Sequence, residues 1–210
     1  MAQEMRLLAH FAGGALLESV QKEPFRDVHQ IAAEIAGISR RVAKTLGFAV
    51  LYGAGVGRIA ESLYIPVEEA SRIKAKYLAA LPEIKRFSKE IMDIGKAGGI
   101  VRTLGGRGYK TDPAVKIING RVVTYEYKLV NYCIQGSASD HTKTAMVSFA
   151  DMDVGDLMLS VHDQLVAQVP IANEEACMAK LKDAMDSAFA DKLRCKIPSD
   201  GASGYDFASI

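Results

Sequence analysis

The sequence has few cysteines and no long apolar segment. Its three cysteines, Cys133, Cys177 and Cys195, are odd in number and widely spaced. Such a pattern favours buried thiols in a reducing cytoplasm over disulfides or a zinc site. No apolar run reaches the roughly 18 residues needed to cross a bilayer, and the N-terminus has no charged and apolar leader. We therefore expect a cytoplasmic protein that is neither exported nor held in a membrane.

The sequence also has little net charge. Its 26 basic and 25 acidic residues leave a formal charge of +1, whereas a dedicated phosphate binder is usually strongly basic. The overall charge is therefore weak evidence for nucleic-acid binding. The distribution is less neutral than the total, because Arg102, Arg107 and Lys110 lie within one short segment. With 210 residues the chain can bury one core or two small lobes.

The first half of the sequence predicts helices separated by glycine and proline. A first helix should end near residues 13–14 and be followed by a loop that contains Pro24. Asp27 and Ser39 can each accept hydrogen bonds from the first turn of a following helix. Further helices are predicted at about 57–64, 67–81 and 82–96.

The second half mixes strands with helices. Residues 100–104 and the segments around Asn119-Gly120 are rich in β-branched side chains, and Asn-Gly is a strong hairpin signal. A long helix should cover about 125–150. Two apolar strands flank residues 162–164 as a second hairpin, and an amphipathic helix should cover 173–193. The sequence thus predicts an α+β fold that is mainly helical.

Four side chains repeat every four residues in ISRRVAKTLGFAVLYG: Arg40, Lys44, Phe48 and Tyr52. On an α-helix this spacing places them on one slowly drifting face. Two cations followed by two aromatic rings suit a ligand that is anionic at one end and flat at the other, such as a nucleoside triphosphate. A solvated basic face whose last turn enters the core fits the spacing equally well.

Several motifs, taken in order, resemble those of family A DNA polymerases, the group of bacterial DNA polymerase I and many phage replicases. They are QEMRLLAHFAG, DVHQIAAEI, the R-x3-K-x3-F-x3-Y-G stripe, VRTLGGR, NYCIQGSASD, LSVHDQLV and GASGYDF. The resemblance runs nearly end to end. It implies fingers helices at 28–96, palm segments at 1–27 and 97–210 with part of an antiparallel sheet, and no thumb. It also implies primer–template DNA and deoxynucleoside triphosphates as partners, in a bacterial or phage-infected cell.

The resemblance implies a nucleotide site on the striped helix. Arg40, Lys44 and His29 would hold the β- and γ-phosphates, and Lys44 would also take part in catalysis. Phe48 stands where the family senses the 3′ position of the sugar, and Tyr52 would stack beside the nascent base pair. Glu4 resembles the residue that blocks a ribose 2′-hydroxyl. A lone histidine in a helix such as His29 is otherwise more often an ordinary core or surface residue.

Asp163 lies in a tight turn between two apolar strands, which we expect to be buried on both sides and to fix the carboxylate. A polar turn residue without chemical function is the simpler interpretation. The resemblance instead implies that Asp163 is one of two aspartates that hold paired Mg²⁺ ions, with His162 beside the primer terminus. Gln164 departs from the family, which usually has Glu there.

The resemblance also implies a DNA-binding surface. Asn131 and Gln135 are one helical turn apart and resemble the family's minor-groove readers, whose amide donors meet acceptors present on every correct base pair. Tyr127 occupies the position of a family arginine, so that contact is lost. Arg102 and Arg107 would meet DNA phosphates. Helix capping or core amides explain Asn131 and Gln135 without any DNA.

The other metal aspartate of the family lies seven residues before the arginine that matches Arg6, a position outside these 210 residues. One carboxylate cannot hold two ions at the ~3.5–4 Å spacing of two-metal catalysis. We therefore expect that the chain does not extend a primer alone. It would be a fragment, a split-enzyme half that needs an N-terminal partner carrying the aspartate, or a non-catalytic DNA- or nucleotide-binding relic.

A dinucleotide-binding oxidoreductase is a competing interpretation. The segment FAVLYGAGVGRIAESL can be read as strand, glycine turn and helix. Its glycine spacing is not G-x-G-x-x-G, however, and no βαβ alternation follows. We consider this function much less well supported than nucleotide polymerisation.

Overall fold

The structure is a computed structural model that describes residues 2–118, 121–206 and 209. Its helices are α1 (Gln3–Ala12), α2 (Gly14–Lys22), α3 (Val28–Ala36), α4 (Arg40–Leu51), α5 (Val56–Leu63), α6 (Val67–Ala80), α7 (Pro82–Lys96), α8 (Tyr127–Asp151) and α9 (Glu174–Ser187), with a 3₁₀ turn at Ile171–Asn173 before α9. The mainly helical α+β fold that the sequence predicts is confirmed. Among the described residues, no helix combines the length and apolar character required to cross a membrane.

The strands are β1 (Val101–Arg102), β2 (Gly108–Tyr109), β3 (Lys116–Ile118), β4 (Arg121–Val123), β5 (Asp156–Val161) and β6 (Gln164–Gln168). They pair as β1–β2, β3–β4 and β5–β6, all antiparallel. Both predicted hairpins are therefore present, although the Asn119-Gly120 turn itself lies outside the described residues. In the described part of the chain the strands form separate two-stranded ladders, whereas the resemblance implied part of one antiparallel sheet.

Local side-chain chemistry explains where the central helices begin. The Asp27 carboxylate accepts hydrogen bonds from the backbone N–H groups of His29, at 2.8 Å, and Gln30, and thereby caps α3. The Ser39 hydroxyl accepts from Val42 N and caps α4. Both predicted caps are confirmed. Because residues 48–63 form helix, turn and helix, the strand that a dinucleotide-binding interpretation requires is not there, and that interpretation is wrong.

Two predicted elements differ from the structure. Residues 14–22 form α2 where a loop was expected. The backbone N–H of Leu16 in the first turn of α2 donates to Oε1 of the buried Glu83 at 3.1 Å, so a carboxylate from α7 caps this helix. The last helix, α9, ends at Ser187, six residues before the predicted 193.

One main core joins the helices. It includes Leu7 and Leu8 of α1, Leu46 of α4 and Ile134 of α8, all with no measurable exposure. Arg6 is also fully buried; its guanidinium donates to the carbonyl oxygens of Arg26, at 2.7 Å, and Lys196, at 3.2 Å. Arg6 therefore ties α1 to the C-terminal segment.

Smaller clusters hold the hairpin region. Phe149 of α8 packs with Cys177 and Ala184 of α9, and Ala145 packs with Leu165 of β6. The three cysteines are unpaired and buried, as the sequence predicts. The β5–β6 hairpin is thus attached to the molecule through α8 and α9. Fewer buried side chains hold this hairpin than hold α4 in the main core.

Candidate functional site

The surface between α3 and α4 brings together side chains that the sequence analysis assigned to a nucleotide. Helix α4 carries Arg40, Lys44 and Phe48 on one face, and Tyr52 follows as its C-terminal cap. The rings of Phe48 and Tyr52 are stacked with centroids 6.2 Å apart. The His29 ring of α3 lies 5.7 Å from that of Phe48. We call His29, Lys44, Phe48 and Tyr52 the α3–α4 surface.

His29 is the most buried member of this surface, with 4% of its side chain exposed. Burial lowers the pKa of His29, and the positive charges of Lys44 and Arg40 lower it further while Asp27 opposes them. The neutral form of the imidazole is therefore favoured, and its buried Nδ1 has no hydrogen-bond partner among the described residues. An unpaired buried nitrogen costs free energy that a hydrogen-bonding ligand would recover.

The two cations of the stripe differ in their surroundings. Arg40 Nε donates to Asp27 Oδ2 at 2.6 Å, so an internal carboxylate already pairs with the first cation of the stripe. Burial alone would raise the pKa of Asp27, but bonds from Arg40 and from the first turn of α3 hold it below its usual range. Lys44 is exposed, and no described residue forms an ion pair with it. Lys44 is thus the cation that is free to meet an anion.

Glu4, the residue predicted to meet the sugar, lies on α1. It is half-buried on α1, and within the described residues no hydrogen bond or ion pair links it to His29, Lys44 or Phe48. Its assignment to the sugar remains a prediction from the resemblance.

Helix α8 meets the end of α4. Gln135 Nε2 donates to Tyr52 Oη at 2.6 Å. Asn131, one turn earlier, has a buried Oδ1 without a partner in the described part of the chain. Tyr127, which stands in place of the family arginine, packs on Gly53, where an added Cβ would come within 2.7 Å of its ring. The two predicted minor-groove amides therefore lie next to the α3–α4 surface.

The loop between β1 and β2 is fastened to the same helix. Arg107 forms an ion pair of 2.7 Å with Asp140 and also donates to the carbonyl oxygen of Gly136. The other Asp140 oxygen accepts from Gly105 N at 3.0 Å. Arg102 donates within the loop to Gly106 O at 2.9 Å. Both arginines retain an exposed side chain, but neither is free of intramolecular contacts.

The second hairpin places Asp163 at its tip. Val161 pairs with Gln164, so His162 and Asp163 form a two-residue turn, with His162 in the left-handed region at φ 55°. Both turn residues are exposed. Strand β5 is also open to solvent, with Met158 56% and Leu159 44% exposed. The expectation that buried strands fix the Asp163 carboxylate is wrong for β5, because nothing in the described residues covers its outer face.

A cavity of about 1070 Å³ adjoins Asp163 and was not foreseen from the sequence. Gln3 and His141 line it, and the Gln3 side-chain amide lies 3.0 Å from His141 Nδ1. Burial lowers the pKa of His141, and its Nε2 is buried without a partner among the described residues. Lys182 and Ser199 close the other side and are hydrogen-bonded to each other. Residues 138 positions apart form the Gln3–His141 contact, so no local pattern could have indicated it.

The described residues do not form a complete metal site. No group of three or more histidine, cysteine, aspartate or glutamate side chains in the described ranges is arranged to hold a metal ion. Asp163 alone therefore does not fit the pair of Mg²⁺ ions that the resemblance implies, because such a pair needs bridging carboxylates.

Comparison with known proteins identifies what the chain is similar to. The family description of DNA polymerase family A matches residues 1–209. Thermostable DNA polymerase I of Thermus thermophilus is 34% identical over 199 residues, which cover 89% of this chain and 24% of that protein. DNA polymerase I of Deinococcus radiodurans is 34% identical over 208 residues, with 93% and 21% covered. The DNA polymerase of Mycobacterium phage L5 is 31% identical, with 97% and 33% covered.

A solved structure shares the fold. The POL domain of Pol1 from M. smegmatis, in complex with DNA primer–template and dNTP, superposes with a TM-score of 0.79 at 24% identity. The match covers 93% of this chain and 36% of that one. The chain therefore spans between a fifth and a quarter of the two bacterial relatives, and about a third of the phage protein and of the structural neighbour.

Proposed function

The chain belongs to DNA polymerase family A, and from this premise we propose that it takes part in template-directed DNA synthesis as a portion of such a polymerase. The α3–α4 surface binds the incoming deoxynucleoside triphosphate. Lys44, His29 and Arg40 contact its phosphates, Phe48 and Glu4 the sugar, and Tyr52 the nascent base pair.

One observation carries this proposal. One surface brings together two stacked rings, an ammonium and a buried imidazole, and neither the ammonium nor the imidazole Nδ1 has a partner among the described residues. Charge-assisted bonds to phosphate suit the ammonium and the imidazole, and a flat base or sugar suits the rings. Arg40 would have to exchange Asp27 for phosphate, or contact it with the donors that Asp27 leaves free.

DNA would lie along α8 and the β1–β2 loop. Asn131 and Gln135 are candidates for the minor groove, and Arg102 and Arg107 for phosphates. In this proposal residues 28–96 are the fingers and residues 1–27 and 97–210 are palm. The contact between Gln135 and Tyr52 supports this placement of the DNA, because the incoming nucleotide must pair directly beside the last base pair of the duplex.

We propose Asp163 as one carboxylate of the magnesium site, with His162 near the primer terminus. The described residues gather no group of three or more metal-ligating side chains there, so further ligands would have to be supplied by other residues of the polymerase. The same observation favours a second candidate function, in which the chain is a non-catalytic nucleotide- and DNA-binding subunit or relic. An N-terminal polymerase fragment that carries the second aspartate would be its partner in a split enzyme.

A ternary-complex measurement tests the proposal. The 210-residue chain is titrated onto a fluorescent primer–template in Mg²⁺ buffer with each of the four nucleotides in turn. The nucleotide complementary to the next template base should lower the Kd for the duplex at least several-fold more than the other three. Equal effects of all four nucleotides would contradict the proposal. We expect no primer extension in the same mixtures, and extension would show that the chain is catalytic by itself.

A further inference from the structure

The hydrogen bond between Tyr52 and Gln135 joins two side chains that have separate tasks in the proposed function. It connects residues 83 positions apart and links the end of α4 to α8. We propose that Gln135 has two alternative partners, Tyr52 in the DNA-free chain and the minor groove of primer–template DNA in the complex. Binding of a duplex would thus release the end of the nucleotide-binding helix. This inference rests on the proposed function.

The chemistry of the amide makes the two partners competitors. The side-chain nitrogen of glutamine carries both of its N–H donors, and minor-groove readout of any base pair needs one of them in the right direction. The bond to Tyr52 uses one N–H group and fixes the direction of the other. The Gln135 amide is therefore not fully available to a duplex while its bond to Tyr52 is in place.

The packing around Tyr52 explains how loss of its bond to Gln135 would affect the nucleotide-binding side chains. Tyr52 stacks on Phe48, whose ring also faces His29. Gly53 follows with φ 65°, and its backbone fits against the Tyr127 ring so closely that a Cβ would overlap it at 2.7 Å. The end of α4 is thus seated on the first turns of α8 through two adjacent contacts, and one of them, the hydrogen bond, can be exchanged for DNA.

The bond is suited to exchange. Tyr52 is 46% exposed and Gln135 is exposed, so water can replace either partner. A hydrogen bond in such surroundings contributes little to stability. It can therefore open without unfolding of the helices that carry it.

Tyr52→Phe tests the competition, because it keeps the stacked ring and removes only the hydroxyl. The affinity of the 210-residue chain for a fluorescent primer–template should rise about two- to tenfold, the range expected for loss of one neutral competing bond. Tyr127→Phe is the matched control on the facing helix and should leave affinity unchanged. In a Gln135→Leu chain, Tyr52→Phe should have no further effect.

A second readout does not depend on DNA. In ¹⁵N-labelled protein, the Gln135 side-chain amide signal should move on Tyr52→Phe, and duplex added to the unmodified chain should move it as well. An unchanged amide signal in Tyr52→Phe would overturn the inference, and so would unchanged or weaker DNA binding. If the chain binds DNA with the nucleotide selectivity described above but Tyr52→Phe has no effect, only this inference fails. If the chain binds no duplex, both this inference and the proposed function fail.

Discussion

The α3–α4 surface and the β5–β6 hairpin carry the two halves of the proposed chemistry, and they are built differently. The first lies over the main core, and its His29 is almost wholly buried. The second projects Asp163 into solvent beside a large cavity, on a strand whose outer apolar side chains are exposed. The helical surface thus brings the proposed nucleotide-binding groups together, whereas the hairpin tip presents Asp163 without a group of three or more metal-ligating side chains among the described residues. Nucleotide binding should therefore be a property of this chain, and phosphoryl transfer should require further residues.

The largest expected difference concerns stability. Leu46→Ala removes a fully buried side chain of α4 from the main core and should lower the free energy of unfolding by about 2–5 kcal/mol. Leu159→Ala makes the same change on the half-exposed β5 and should cost less than about 1 kcal/mol. Denaturant unfolding of both variants measures the difference. Similar losses would show that the hairpin is packed as firmly as the helices.

A smaller expected effect is the pH dependence of stability that the buried His29 of the α3–α4 surface causes. Burial lowers the pKa of His29, so the folded chain binds a proton there less readily than the unfolded chain. Its contribution to stability is complete above the unfolded value of about 6.5 and is lost as the pH falls from there towards the folded pKa. The slope for one such group is at most about 1.4 kcal/mol per pH unit.

His29→Gln should therefore flatten the acid side of the stability profile between pH 7 and 5, as followed by thermal unfolding. It should not abolish the slope, because burial lowers the pKa of His10 and His141 in the same direction. A profile identical to that of the unmodified chain would mean that His29 is not buried in its neutral form.

The parts of the fold that follow from local chemistry could be predicted from the sequence. Asp27 and Ser39 cap their helices with their own side chains, and the His162–Asp163 turn is set by the strands beside it. Helix α2 could not be predicted, because its N-terminus is capped by Glu83 from another helix. Glycines at 13 and 14 instead suggested a loop.

In the candidate site, too, the features set by local spacing were predictable and those set by tertiary contacts were not. The stripe on α4 follows from helical spacing, so its shared face was predictable. The partners of its members were not. Asp27 pairs with Arg40 from the opposite end of α3 along the chain, Gln135 reaches Tyr52 from a distant helix, and the exposure of β5 depends on what packs over it. Each of these contacts is tertiary, and no periodicity within one segment encodes it.

The most direct test of the account is the affinity of the chain for a deoxynucleoside triphosphate after Lys44→Ala, measured by titration calorimetry in Mg²⁺ buffer. Lys44 is the unpaired cation of the α3–α4 surface, and a charge-assisted bond to phosphate contributes about 1.5–3 kcal/mol. Affinity should therefore fall about ten- to a hundredfold. Arg41→Ala, which removes an exposed cation one residue after Arg40 and rotated by about 100° from it, should change it much less. Equal effects of the two substitutions, or no effect of Lys44→Ala, would show that the stripe is an ordinary solvated surface.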